Sequence, residues 1–324
     1  MKTLAKILLS VLLLLVLGAV GGYFYMQQKF APPTNQLTVA GLPARSAFVW
    51  QADNRAQPAV ARAHQLVPVR VPGCARTCYL QFDTGAPYTV FYAHPLTALL
   101  AQYPAAGPAL VPRADTVRNV AFRLGGAEVR VRRAPVLQFG ARELPADTTA
   151  PLVIGTLGAD VLEHHVLVID YPRQRFSLYA AVPDSLAGRA DFVPLELKGR
   201  RVMLGAELPG QSGPLLFDSG SSAFALLTSE SRWRELARPA APVQTNAVNS
   251  WGKTLTTYTI PTAAAIRLGG TELPLGTVSY MKGMSFTQEM LTRLSGLAGM
   301  LGNEPFAGRT IILDAPGGRF GVLR

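Results

Sequence analysis

Two aspartates sit at the ends of near-copies of one stretch. Leu80-Gln81-Phe82-Asp83-Thr84-Gly85-Ala86 returns 135 residues later as Leu215-Leu216-Phe217-Asp218-Ser219-Gly220-Ser221-Ser222. In each copy an apolar run ends in Asp, a small hydroxyl residue and Gly. A carboxylate at the end of an apolar strand is costly to bury alone. Two that meet can share one proton and titrate as a pair. The ionised partner can then take a proton from water while the protonated one polarises a carbonyl. The near-symmetry of the copies leaves open which carboxylate would be the base. Gly85 and Gly220 would allow a backbone approach that a Cβ would block.

The elements that would position these residues are also repeated. Leu157-Gly158-Ala159-Asp160, the strand to Ile169-Asp170-Tyr171-Pro172, and Arg175-Phe176 align without a gap on Leu301-Gly302-Asn303-Glu304, Leu313-Asp314-Ala315-Pro316 and Arg319-Phe320. Arg123-Leu124-Gly125-Gly126 matches Arg267-Leu268-Gly269-Gly270. These matches are 144 residues apart, so the second half holds nine extra residues after its acid. Two copies make a duplication and not a solenoid.

With both copies and their downstream apolar-apolar-Gly elements in view, the chain resembles the aspartic peptidases over roughly residues 60–324. The resemblance implies an all-β fold of two similar β-barrel-like lobes related by a pseudo-twofold axis, with a few short helices. It implies an aspartic endopeptidase with Asp83 and Asp218 as the catalytic pair, a peptide or protein substrate and no cofactor. Thr84 and Ser219 would cross-link the two loops, and Gly158 and Gly302 would lie beside them. The chain departs from pepsin-like enzymes in its first half, where no Tyr falls in the stretch expected to form a flap. The extra length is in the second half, so Trp251 and Tyr258 are the flap candidates. Asp-Thr-Gly-Ala is closer to the retroviral type, and the nearest description is a bacterial-style single-chain enzyme with two small lobes. The alternative is a catalytically silent peptide-binding module using the same cleft.

Other chemistry is weaker. Ser221 and Ser222 lack a Gly-x-Ser-x-Gly elbow for a serine nucleophile. His164 and His165 are adjacent and would face different directions on a helix, and His64 and His94 are isolated, so no metal site is expected. Asp170 and Asp314 precede Pro-containing turns and read as turn acids. Asp160 and Glu304 read as caps of the following helical turn. Cys74 and Cys78, the only cysteines, could close a small hairpin loop as a disulfide in an exported chain.

Glycine (30) and proline (25) are plentiful and long helical patterns are few, which favours strands. Net charge is +11, mostly from arginine, with six lysines. No basic run is interleaved with aromatics, so nucleic acid is not an expected partner; an anionic membrane surface is a better match. Residues 7–25 carry no charge and would span about 28 Å as a helix, close to a bilayer core. Lys2 and Lys6 before them orient the N-terminus to the cytoplasm. The segment reads as a transmembrane signal anchor, or as a signal peptide cut after Ala19-Val20-Gly21. Either way the remainder lies outside the cytoplasm, on the periplasmic side of an inner membrane. The expected organisation is an anchor at 1–30, a linker at 31–60 with a strand near Phe48-Val49-Trp50, lobes at 61–180 and 181–324, and a monomer. Helices are expected at Ala93–Tyr103, Ser229–Arg238 and Ser285–Leu294.

Overall fold

Alternation of apolar and polar residues dictates most of the strands. Ala127–Leu137 reads AEVRVRRAPVL and buries Ala127, Val129 and Val131 while leaving Arg130 and Arg132 exposed, the pattern of a strand with one face on a core. The chain is described by a computed structural model at residues 2–30, 34–54, 56, 59–208, 210, 213–250, 253–283 and 296–324. Strands hold 46% and helix 19%, so the fold is all-β with few helices. It divides into two units, residues 1–34 and residues 35–324.

The first unit is one helix, α1 (Lys2–Phe30), 29 residues long. Leu12, Leu13, Leu14, Leu15 and Leu17 on it are exposed. Taken over the described residues, no helix is long and apolar enough to cross a membrane. The helix is found, and the span expected of it rests on the sequence.

The second unit begins with β1 (Leu37–Ala40), β2 (Ala44–Ala47) and β3 (Val49–Asp53), then β4 (Val60–Val69), β5 (Cys78–Phe82) and β6 (Val90–Tyr92). The linker expected at 31–60 is therefore corrected: most of its described residues are strand. Leu37, Ala44 and Phe48 are buried in the main core, and that burial outweighs the proline-rich composition just upstream. Helix α2 (Ala93–Gln102) packs Leu96 and Leu99 inward. Then come β7 (Thr116–Leu124), β8 (Ala127–Leu137), β9 (Leu152–Leu157), β10 (Val166–Asp170) and β11 (Arg175–Tyr179). The later half runs through β12 (Ala190–Lys198), β13 (Arg201–Leu204), β14 (Leu215–Phe217), β15 (Leu226–Leu227), a helix at Glu230–Leu236 capped by Ser229, β16 (Gln244–Ser250) and β17 (Lys253–Pro261). It ends with β18 (Ala265–Leu268), β19 (Thr271–Pro274), β20 (Thr277–Lys282), β21 (Gly299–Leu301), β22 (Thr310–Asp314) and β23 (Arg319–Leu323). The helix expected at Ser285–Leu294 lies outside the described residues.

Eight strands form one sheet in the order β1-β8-β6-β9-β5-β4-β3, with β7 also on β8. Thirteen form a second, β16-β17-β20-β15-β21-β14-β13-β12-β23-β22-β10-β11-β2. The second sheet draws strands from both halves of the sequence. One large core runs from Leu37 to Val322. Within it Phe82 packs on Phe176 at 5.1 Å, and Phe217 packs on Phe306 and Phe320 at 5.6 and 5.9 Å.

Candidate active site

Each aspartate leaves a short buried strand that lies parallel to a later one. Strand β5 pairs with β9, Phe82 opposite Leu157, and β14 pairs with β21, Phe217 opposite Leu301. The ladders run one step further: Asp83 N–H donates to Leu157 O (3.1 Å) and Asp218 N–H to Leu301 O (2.8 Å). Beyond these points stand Gly158 and Gly302. A Cβ on Gly158 would lie 2.4 Å from the carbonyl carbon of Tyr88, and one on Gly302 2.2 Å from Ser221 O. Only glycine lets the two chain segments approach so closely.

The two Asp-hydroxyl-Gly turns then grip one another. Thr84 N–H donates to Ser219 Oγ (3.0 Å) and Ser219 N–H donates to Thr84 Oγ1 (2.9 Å). The Thr84 hydroxyl donates onward to Phe217 O (2.8 Å), and that of Ser219 to Phe82 O (3.3 Å). Both side chains are fully buried, so every hydroxyl and amide in this crossing needs the partner it has.

The crossing aims the carboxyls at one another. Asp83 and Asp218 are 8% and 9% exposed. A Cβ on Gly85 would lie 2.7 Å from Asp218 Oδ1, and one on Gly220 2.4 Å from Asp83 Cγ. Each turn therefore presents its bare glycine to the other turn's acid. Gly85 N–H donates to Asp83 Oδ1 (2.8 Å), as does Ala86 N–H (3.3 Å). Gly220 N–H donates to Asp218 Oδ1 (2.9 Å), and the Ser221 hydroxyl donates to Asp218 Oδ2 (2.9 Å). Burial first, and then the charge and hydrogen bond of Asp218, push the Asp83 carboxyl well above its ordinary 3.8.

Further polar residues hold these loops, and sequence reasoning gave them no such role. Thr89 N–H and its hydroxyl both donate to the Asp160 carboxylate (2.8 Å each), and Gly158 N–H donates to Thr89 Oγ1 (3.2 Å). Asp160 is thus a buried loop anchor, and burial lifts its pKa to about 6. In the other half Asn303 Nδ2 donates to Ser219 O (3.1 Å) and Ser222 Oγ (2.7 Å), while Tyr171 OH donates to Asn303 Oδ1 (2.8 Å). Asp160 and Asn303 each follow a loop glycine closely, the one signal that could have singled them out. Tyr92 OH and Thr156 Oγ1 lie 2.5 Å apart, and burial pushes the Tyr92 phenol up to about 12.

The remaining candidates stand apart from this crossing. Cys74 and Cys78 are free thiols with their Sγ atoms 4.0 Å apart, and Cys74 Sγ–H donates to Arg76 O (3.3 Å). The disulfide expected there is corrected, since the short turn brings the thiols near without joining them. Arg76 fills the turn instead, donating to Pro145 O, Asp147 O and Ala150 O. Of the flap candidates, Trp251 lies outside the described residues. Tyr258 is on β17 in the hairpin with β16 and stacks on Tyr280, ring centroids 4.7 Å apart. His94 Nδ1 and His165 Nδ1 meet backbone carbonyls. No cluster of three or more His, Cys, Asp or Glu fit for a metal occurs among the described residues. Asp170 and Asp314 accept from Arg173 N–H (3.0 Å) and Gly317 N–H (2.9 Å), as turn acids do. Glu304 pairs with Arg62 at 3.2 Å. No family model and no curated protein matches the chain.

Proposed function

We propose that the chain is an aspartic endopeptidase that hydrolyses peptide bonds with water activated by Asp83 and Asp218. The observation that carries this reading is the reciprocal grip of the two Asp-hydroxyl-Gly turns, which buries two carboxyls against each other. In this mechanism Asp83 keeps the proton, since the Ser221 hydroxyl gives Asp218 a side-chain donor whose counterpart at Asp83 is only the Ala86 N–H. Asp218 takes a proton from water, and the water oxygen bonds to the peptide carbonyl carbon. Asp83 gives its proton to the carbonyl oxygen. The tetrahedral intermediate then collapses: the C–N bond breaks, Asp218 returns its proton to the leaving nitrogen, and Asp83 recovers its own from the oxygen. The substrate is an extended peptide, added as a strand in the cleft between two lobes.

The two-lobe reading is supported by register. Strand β10 pairs with β22 so that Val168 faces Ile312, Val166 faces Asp314 and Asp170 faces Thr310. Adding 144 to each first-half residue reproduces the same pairing, as a twofold axis through Val168 and Ile312 would require. The outer pairs follow suit, β2 on β11 and β12 on β23. The enzyme is a monomer in this reading.

We also propose that α1 anchors the chain in a membrane, with the N-terminus cytoplasmic and residues 35–324 on the other side. The support is the uncharged run 7–25 within a helix of 29 residues. Alkaline carbonate should leave the chain in the membrane fraction; its release would favour a cleaved signal.

The activity test is incubation of the chain with a mixed peptide library across acidic to neutral pH, beside Asp83→Asn and Asp218→Asn. Cleavage by the parent, blocked by a statine-type inhibitor and reduced at least ~10³-fold in each variant, is the expected result. Binding without cleavage by the folded parent at every pH would replace the enzyme with a peptide-binding module.

A further inference from the structure

Strands β7 and β8 carry a face of arginines. Arg118, Arg123, Arg130, Arg132 and Arg133 are all exposed there, and exposed Arg70 is bridged to Arg123. The pairing sets Arg118 directly opposite Arg133. Like charges facing across a ladder cost stability. The strand's own pattern creates the excess. Burial falls at Val129 and Val131 and then at Ala134 and Val136, so Arg132 and Arg133 are exposed in succession. On β7, Asn119 at φ 55° marks the same break. Glu128 is the one acid on these two strands, and it is engaged by Arg130 at 2.8 Å. Among the described residues no ion pair is formed by Arg70, Arg118, Arg132 or Arg133.

The occupant of such a face must be polyanionic and needs no apolar or stacking contact. No exposed aromatic or large aliphatic side chain stands on β1, β7 or β8, which disfavours nucleic-acid bases, because these are held by stacking. It also disfavours an ordinary protein interface with its apolar centre. Connectivity favours a membrane. Strand β1 lies beside β8, with Thr38 opposite Arg130, and only six residues separate Leu37 from Phe30 at the end of α1.

We propose that the arginine face of β7 and β8 docks the folded unit on anionic lipid headgroups of the membrane that holds α1. This rests on the anchor reading given above. Surface arginines are attracted to an anionic leaflet within a Debye length, and the attraction is screened by salt.

The test uses the full chain in nanodiscs of phosphatidylcholine alone or of a phosphatidylglycerol-rich mixture, with phenylglyoxal as an arginine label read by mass spectrometry. Labelling of Arg118, Arg132 and Arg133 should slow several-fold in the anionic discs. The ordinary rate should return at about 1 M salt, where screening acts within about 3 Å. Exposed Arg201 on β13 and Arg238 after the Glu230–Leu236 helix should label equally in both. In the triple variant Arg118→Glu, Arg132→Glu, Arg133→Glu, the remaining Arg123 and Arg130 should label at one rate in both discs. Retention in both discs with equal labelling overturns the docking face alone. Recovery of the chain outside both overturns the anchor and the docking face with it. Protection of the same arginines by a DNA duplex, and not by lipid, would assign the face to nucleic acid instead.

Discussion

At the residue scale the two Asp-hydroxyl-Gly turns differ in the donors they give their carboxyls. Ser221 places a hydroxyl on Asp218 Oδ2 at 2.9 Å. Its counterpart in the first copy is Ala86, which offers Asp83 only a backbone N–H at 3.3 Å. A donor favours the charged form of the carboxylate it meets. The two near-copies thus give similar carboxylates unlike surroundings, and on the reading proposed here Ser221 is a positioning residue. Ser221→Ala should move the acidic limb of the kcat/KM profile to higher pH and lower its maximum about tenfold. Ala86→Ser should do the reverse at the other carboxyl and bring the alkaline limb to lower pH. Unmoved limbs in both variants would show that the two acids are not told apart in this way. The glycines make a second prediction at this scale. Gly220→Ala puts a methyl 2.4 Å from Asp83 Cγ and should abolish cleavage while costing about 1–3 kcal/mol of stability. Gly126→Ala, which meets open space, should change neither. Asp83, Asp218, Thr84, Ser219 and the glycines stood out in the sequence because the near-copied stretches repeat them. Thr89, Asp160 and Asn303 were not legible as a network, because Thr89 and Asp160 bond across 71 residues and Asn303 reaches back 84 to Ser219. No local period links positions so far apart.

At the element scale the loop after β9 depends on a buried acid. Asp160 is held by two donors from Thr89, and burial lifts its pKa from 3.8 to about 6. The folded state therefore binds this proton more tightly than the unfolded chain does. The stability it contributes is full below about pH 4 and is lost as pH rises through about 6. A change of this size is worth on the order of 3 kcal/mol. Urea unfolding should thus show parent stability falling between pH 4 and pH 7 by more than that of Asp160→Asn, with a difference near that magnitude. Equal slopes would mean that Asp160 is not a buried titrating group. Thr89→Val removes the hydroxyl donor, leaves the buried carboxyl only the Thr89 N–H, and should cost about 1–3 kcal/mol at neutral pH. Elements were legible wherever apolar residues alternate, as in β7 and β8, or recur at helical spacing, as Leu96 and Leu99 do in α2. The strand expected near Phe48-Val49-Trp50 is β3, but the stretch at 37–47 was not legible, because β1 and β2 are four residues each and pair only with the distant β8 and β11.

At the scale of the whole molecule the sequence shows a repeat, and the structure shows what the repeat alone does not dictate. The larger sheet passes through the join: β10 and β11 lie beside β22 and β23, and β2 from the start of the unit closes one end. Neither half can complete that sheet alone. Without the later half, β10 loses β22, and Val166 and Val168 lose their contact with Ile312. Without the earlier half, Ser219 Oγ loses Thr84 N–H and the Asp218 loop loses its grip. An apolar strand face and buried polar groups left without partners are each costly. Residues 35–180 and 181–324 expressed apart should therefore lack a cooperative unfolding transition. Mixed together, they should recover one transition and, on the reading proposed here, peptide cleavage that depends on both Asp83 and Asp218. Two halves that each unfold cooperatively by themselves would show that the crossing and the shared sheet are late contacts between finished domains. In that case Thr84 and Ser219 would set the geometry of the pair without contributing to the stability of either half.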